Sequence, residues 1–280
     1  MNIKILSDST CDLSAQLLQE NNITLIPLTV VKDDKEFKDG VTITPDEIFA
    51  HVAAGGALCS TSANSVGEYA DIFERHAKEN DGVLVITIGS GFSSCYQNAS
   101  IAASDFDNVK VVDSMNLSTG QGLVVLEACK LAKECSSLEE LHEKVQAFTA
   151  KVEASFLVDK LNYLVKGGRC SAAAALGANL LNLKPCIEVR DGKMIVVKKY
   201  RGSYNKCLAS YVKDRLAERE DLTREILFVT KTSVSDEEYK AVMDTVAEHG
   251  HFGVTYETTA GCTVSCHCGP GTLGVLFVRK

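Results

Sequence analysis

The sequence predicts a two-unit α/β protein: a doubly wound parallel sheet in the first half, then a second α/β unit with a mixed sheet. Three observations carry this. Strand-like and helix-like runs alternate from residue 3 to residue 151, the order that builds a parallel sheet. Residues 83–88, VLVITI, have the apolar character of a strand covered on both faces. After residue 151 the pattern changes, and Arg190-Asp191-Gly192-Lys193 signals an antiparallel hairpin. A length of 280 residues suits two domains, at about 150 residues each.

The elements follow in order. Residues 3–6 and 23–31 are apolar and β-branched and read as strands, and residues 13–20 between them have helical spacing. Thr44-Pro45-Asp46-Glu47 opens a helix with a Thr N-cap, Pro at the first helical position and Glu three residues after the cap. Gly55-Gly56 ends it. Residues 65–80 form the next helix, 83–88 a central strand, and a helix runs from about 93 to 103. Residues 109–112 are a further buried strand, ended by Asp113-Ser114. Residues 118–133 and 138–151 are amphipathic helices, the second opened by a Ser137…Glu140 capping box.

In the second half, residues 156–158 and 161–165 lead into Lys166-Gly167-Gly168-Arg169-Cys170-Ser171, and a small-residue helix follows over 171–183. Residues 186–189 and 194–198 flank the hairpin turn. Then come helix 204–220, strand 226–230, helix 235–249, strand 253–257 and a last strand, 273–278. The boundary falls within 151–155, giving domains 1–153 and 154–280, with no repeat or low-complexity tract.

Composition excludes several classes. The net charge of −8 argues against nucleic acid and against an anionic membrane surface. The chain starts directly in a strand-like run with no export pattern, and no apolar run approaches about 20 residues, so a cytoplasmic protein without membrane insertion is expected. Its eleven cysteines then read as reduced thiols. Cys262, Cys266, His267 and Cys268 put four potential metal ligands in seven residues. C-x-x-C and a second ligand pair are missing, so the reading is a thiol-rich strand, Cys266 and Cys268 on one face and His267 on the other, with no metal.

Four hydroxyl- or glycine-rich runs stand at or near strand ends: Ser7-Asp8-Ser9-Thr10, Ser60-Thr61-Ser62, Gly89-Ser90-Gly91-Phe92-Ser93-Ser94 and Asp113-Ser114. Ligands sit at strand ends in α/β proteins, and hydroxyls with free N–H groups suit an anion. The Gly89–Ser94 run has the context of a dinucleotide turn, but Ser94 stands where the third glycine belongs. It serves equally as a tight turn with Ser93 as N-cap, or as a site presenting Ser93 and helix N–H groups to an anion. Ser60-Thr61-Ser62 is either a helix cap, one of its hydroxyls capping in any case, or part of a ligand site. Arg169 and Arg201 stand beside glycines, either solvated or poised for an anion. His267 precedes a Gly-Pro-Gly turn, where a structural and a functional role both fit. Walker A and G-x-S-x-G motifs are absent from the sequence.

Taken together, the segments ILSDSTCDL, STSANS, IGSGFSSCYQNA, DSMNLSTGQG, LNYLVKGGRCS, LKPCIEV, YRG and HCGPGTLGVLF resemble the signatures of the DegV family of bacterial fatty-acid-binding proteins, in number and order. The resemblance spans nearly the whole chain. It implies a carrier with no catalytic residue and no cofactor, holding one long-chain fatty acid in a tunnel between two domains. Thr61, Ser62 and Ser93 would hold the carboxylate, with the backbone around Ser94 close by. Arg169, Arg201 and His267 match positions near the head group, facing a phosphate or a separate ATP-dependent fatty acid kinase. Ala63 and Asn64 depart from the family's Gln-Pro, and Ser94 and Cys95 from its Gly-Thr. The apolar stretch 157–183 is either tunnel wall or ordinary core. The alternatives are an enzyme acting on a small anion, with Ser93 and Asp8 in catalytic roles, and a dinucleotide-binding oxidoreductase.

Overall fold

A computed structural model describes residues 1–171 and 183–280. The first half contributes strands β1 (Ile3–Asp8), β2 (Thr24–Ile26), β3 (Thr29–Lys32), β4 (Lys35–Lys38), β5 (Ser60–Ser62), β6 (Gly82–Thr87) and β7 (Val109–Asp113). The larger sheet has the order β2-β1-β6-β7, with every pair parallel. Strand order reverses between β1 and β6, the place where an open α/β sheet receives its ligand. Every residue of β6 is buried, as a strand covered on both faces requires.

A small antiparallel sheet, β4-β3-β5, corrects two expectations. Residues 23–31 are not one strand: β2 stops at Ile26, and β3 starts at Thr29 in the other sheet. Pro27 has no N–H with which to extend a ladder, so the chain leaves the parallel sheet there. The hydroxyls of Ser60-Thr61-Ser62 do not cap the next helix. They form β5, with Thr61 opposite Val30, while Ser65 caps helix Val66–Glu79 in a capping box with Glu68. The capping box of Thr44 and Glu47 forms as predicted. That of Ser137 is half formed, because the Glu140 carboxylate takes the Ser136 N–H instead, at 2.9 Å.

The second half contributes β8 (Val152–Val158), β9 (Leu183–Arg190), β10 (Lys193–Arg201), β11 (Leu222–Lys231), β12 (Val254–Thr259) and β13 (Thr272–Arg279). Their order is β10-β9-β8-β13-β11-β12, with β11 and β12 parallel and the other pairs antiparallel. Val152 and Glu153 already pair with Val278 and Phe277 in this sheet. The β9–β10 turn is Asp191-Gly192, both at positive φ, as the hairpin signal requires. After β8 a helix runs over Asn162–Gly167. The predicted small-residue helix, 171–183, lies almost wholly outside the described residues.

Helix Thr119–Leu131 joins the halves. It packs on β1 and β6 and also on β8 and β13, and it is buried without a break from Thr119 to Val125. Val124 and Val125 share one apolar core with Leu84 and Ile86 of the first sheet and Phe156 and Leu276 of the second. Its enclosed first half has no polar stripe to offer water, and the exposed Lys130 lies near its end.

Residues 262–268 are helix Cys262–Cys268, not the thiol-rich strand the composition suggested. Helical periodicity sends Cys262 and Cys266 into a cluster with Ile43, Ile48 and Cys59, and Val264 and Cys268 into the central core. Carboxylates from the first half satisfy the N–H groups of its first turn, which favours the helix over a strand.

Candidate functional site

Two buried carboxylates shape the turn after β6. Asp8, at the end of β1, accepts the Ile88 N–H at 2.7 Å, the Thr10 N–H at 3.1 Å and the Gln121 amide at 3.0 Å. Asp113, at the end of β7, accepts the N–H groups of Ser90 at 3.1 Å and Met115 at 2.9 Å. The loop between Ile88 and Ser94 is therefore held from both neighbouring strands. Asp8 is wholly buried, and burial pushes its pKa up despite four hydrogen bonds that favour the anion. It does not border the cavity described next, so it braces the loop rather than serving as the base of the small-anion enzyme reading. Asp113 is likewise engaged with backbone, where a dinucleotide site needs it free for a ribose. Ser9 donates to Asp39 at 3.0 Å and Ser114 to the Asn116 carbonyl at 3.1 Å. Two of the four hydroxyl runs thus hold loops.

The other two runs meet. Thr61 and Ser62 of β5 and Ser93 and Ser94 of the loop line one cavity of about 290 Å³. Arg169 and His267 border it as well; Arg201, on the exposed end of β10, does not. The rest of the wall includes Leu28, Ile88, Phe92, Leu117, Met194 and Val264. Leu117, Val264 and Cys268 also border a narrow space of about 30 Å³ flanked by Phe156 and Leu276, between the two halves. A donor-lined end therefore gives way to an apolar one.

Hydrogen-bond accounting shows which way the hydroxyls point. His267 Nε2 lies 2.8 Å from Thr61 Oγ1. His267 Nδ1 has no partner and packs so closely on Gly167 that a Cβ there would come within 2.5 Å of it. Burial, with the Arg169 charge adding to it, pushes the His267 pKa down to about 4, so the ring is neutral at pH 7. An orphaned N–H costs more than an orphaned lone pair, which assigns the proton to Nε2. Nε2–H then donates to Thr61, and the Thr61 hydrogen is left for a ligand. Ser93 Oγ accepts the Cys95 N–H at 3.3 Å and lies 3.1 Å from Cys95 Sγ. Burial raises the Cys95 pKa to about 12, so the thiol keeps its proton.

Helix Cys262–Cys268 brings Thr263, Val264, His267 and Cys268 to the cavity on one face. Its first turn is docked on the first half: Gly261 N–H donates to Asp12 at 2.8 Å, and the N–H groups of Cys262 and Thr263 to Asp39 at 2.8 and 3.1 Å. Asp12 also accepts the Ser118 hydroxyl at 2.5 Å, and burial pushes its pKa up to about 8. No sequence motif marks Thr263; its i, i+4 relation to His267 is the signal, visible once the segment is helical. Arg169 ties two loops together, donating to the Gly167 carbonyl at 2.8 Å and to Phe92 O at 3.5 Å. Among the described residues no group of three or more His, Cys, Asp or Glu is arranged to hold a metal ion.

Comparison with known proteins gives concordant matches. A family model described as "Uncharacterised protein, DegV family" matches residues 2–280. A DegV domain-containing protein of Caldanaerobacter subterraneus subsp. tengcongensis is 32% identical over 282 residues, 99% of each chain. Among solved structures, one titled "Fatty Acid Binding of a DegV family Protein from Thermus thermophilus" matches with a TM-score of 0.92 and 30% identity, covering 100% of both chains. A stearic acid-binding protein from Eubacterium ventriosum matches with a TM-score of 0.83 and 28% identity, covering 99% of this chain and 98% of that one.

Proposed function

The chain belongs to the DegV family, and from that premise we propose that it is a carrier that binds one long-chain fatty acid, its carboxylate at Thr61, Ser62, Ser93 and Ser94. The observation that carries this reading is the cavity itself, hydroxyl-lined at one end and apolar toward the space between the halves. Its support is the full-length likeness to structures whose titles name fatty acid and stearic acid binding.

The physics agrees in sign and scale. Burying about 14 methylenes at ~0.8 kcal/mol each yields about 11 kcal/mol of gross stabilisation. A buried carboxylate costs several kcal/mol unless hydrogen-bonded, and the Thr61 and Ser93 hydroxyls offset that cost without a fixed counter-charge. Arg169, at the cavity's edge, suits a head group that becomes a phosphate. In this reading a separate ATP-dependent kinase makes the acyl-phosphate, and the carrier, built as units 1–153 and 154–280, uses no cofactor of its own. The exposed Arg201 suits contact with that kinase. The eleven cysteines, all buried and with no disulfide among the described residues, suit the reducing cytoplasm. Among the described residues no helix is long and apolar enough to cross a membrane.

Native mass spectrometry of the purified protein, followed by lipid extraction, tests the reading. A stoichiometric adduct of long-chain fatty-acid mass is expected, and it should be lost when Thr61→Ala and Ser93→Ala are combined. An apo mass that added stearate leaves unshifted would refute the carrier.

A further inference from the structure

We propose that Thr263 is a further donor to the ligand's carboxylate, a binding residue that no motif in the sequence marks; the proposal rests on the fatty-acid reading. Thr263 is 5% exposed, lines the cavity, and its Oγ1 has no hydrogen-bond partner among the described residues. A buried hydroxyl left unpaired is costly, so an unpaired one on a cavity wall points to a ligand group.

The usual internal solution is not taken. A helical threonine satisfies its hydroxyl on the carbonyl three or four residues back. Thr263 is the second residue of its helix, and the Ala260 carbonyl already receives the Ser265 hydroxyl at 3.2 Å.

Its place also fits the polar end. Thr263 and His267 are one turn apart on the same helix face, neighbours at about 5–6 Å between Cβ atoms. His267 in turn bonds Thr61 Oγ1 at 2.8 Å. The Thr263 backbone is fixed independently of any ligand, since Asp39 accepts its N–H at 3.1 Å. The hydroxyl is thus held on the wall of the same cavity, one helical turn from His267, with its hydrogen uncommitted.

Thr263→Val keeps shape and branching and removes the donor; Thr263→Ser keeps the donor. Stearate affinity is measured for wild type and both variants, together with the carboxyl resonance of bound [1-¹³C]stearate by NMR. A hydrogen bond to a charged group predicts that Thr263→Val weakens binding roughly ten- to a hundredfold and shifts the resonance, while Thr263→Ser stays near wild type. If Thr263→Val does not give a native melting curve, Thr263→Ala carries the same test. Wild-type affinity with an unmoved resonance in Thr263→Val overturns the proposal, because the hydroxyl then needs no ligand. Equal weakening in the valine and serine variants with an unmoved resonance also overturns it, leaving a packing role. A wild-type protein that binds no stearate sinks the carrier reading itself, a result distinct from both.

Discussion

Ser93 Oγ accepts the N–H of Cys95 and contacts its thiol. The Asn64 backbone N–H also donates to the sulfur, so the S–H is best used on Ser93 Oγ. With its lone pairs engaged, Ser93 has only its hydrogen left for the cavity, and Cys95 acts as a positioning residue. Cys95→Ala should therefore weaken stearate binding about two- to tenfold, and Cys95→Ser, which restores a donor, should recover most of it. Titration of stearate into both variants checks this; equal affinities for the alanine and serine variants would count against the orientation argument. Asn64 and Cys95, two of the departures from the family pattern, thus meet beside Ser93 of the cavity wall. At this scale the sequence marked Thr61, Ser62, Ser93 and Ser94 by residue type, but not Thr263, whose relevance depends on a helix that composition disguised as a strand.

Loops that face each other across the two halves are set by close backbone approach. A Cβ on Gly91 would lie 2.2 Å from the Gly192 carbonyl oxygen in the β9–β10 turn. Gly91→Ala should then force the Ser93 loop or the hairpin aside. The expected cost is about 1–3 kcal/mol of stability, the usual range for overpacking, with weakened stearate binding because the displaced loop carries Ser93. Urea unfolding and ligand titration check it together; unchanged values in both would mean that the loops do not press on one another. Elements with local signals were legible: the Thr44 capping box, the VLVITI strand and the Asp191-Gly192 turn follow from neighbouring residues. The break at Pro27 is local as well, since proline has no N–H for a ladder; β5 was not legible, because it depends on a partner strand that only the folded chain supplies.

Asp12 connects the halves through a titratable group, linking the Ser118 hydroxyl to the Gly261 N–H. Its pKa rises from an ordinary 3.8 to about 8 on burial. Between those values the folded chain holds a proton that the unfolded chain has released. The group's contribution to stability therefore declines as pH rises from about 4 to about 8, and the loss is complete above 8. Asp12→Asn mimics the protonated form, accepting the Gly261 N–H and donating to Ser118. It should flatten this dependence and make the protein more stable than wild type at pH 8.5. Urea unfolding at pH 5 and pH 8.5 checks the sign; identical pH slopes in the two proteins would place the titration elsewhere.

By itself the sequence determined the α/β class, the alternation that builds a parallel sheet, the capping residues and the hydroxyl runs beside the strands. These depend on interactions a few residues long, which periodicity and composition record directly. Only the tertiary structure decided which runs line the cavity. Asp8 and Asp113 look as available in sequence as Thr61 and Ser93, yet their carboxylates are taken up by backbone N–H groups of the loop between Ile88 and Ser94. Only the fold turned residues 262–268 into a helix, by supplying Asp12 and Asp39 from far along the chain to satisfy its first turn. A polar group's role depends on whether a partner reaches it first, and those partners come from distant parts of the sequence.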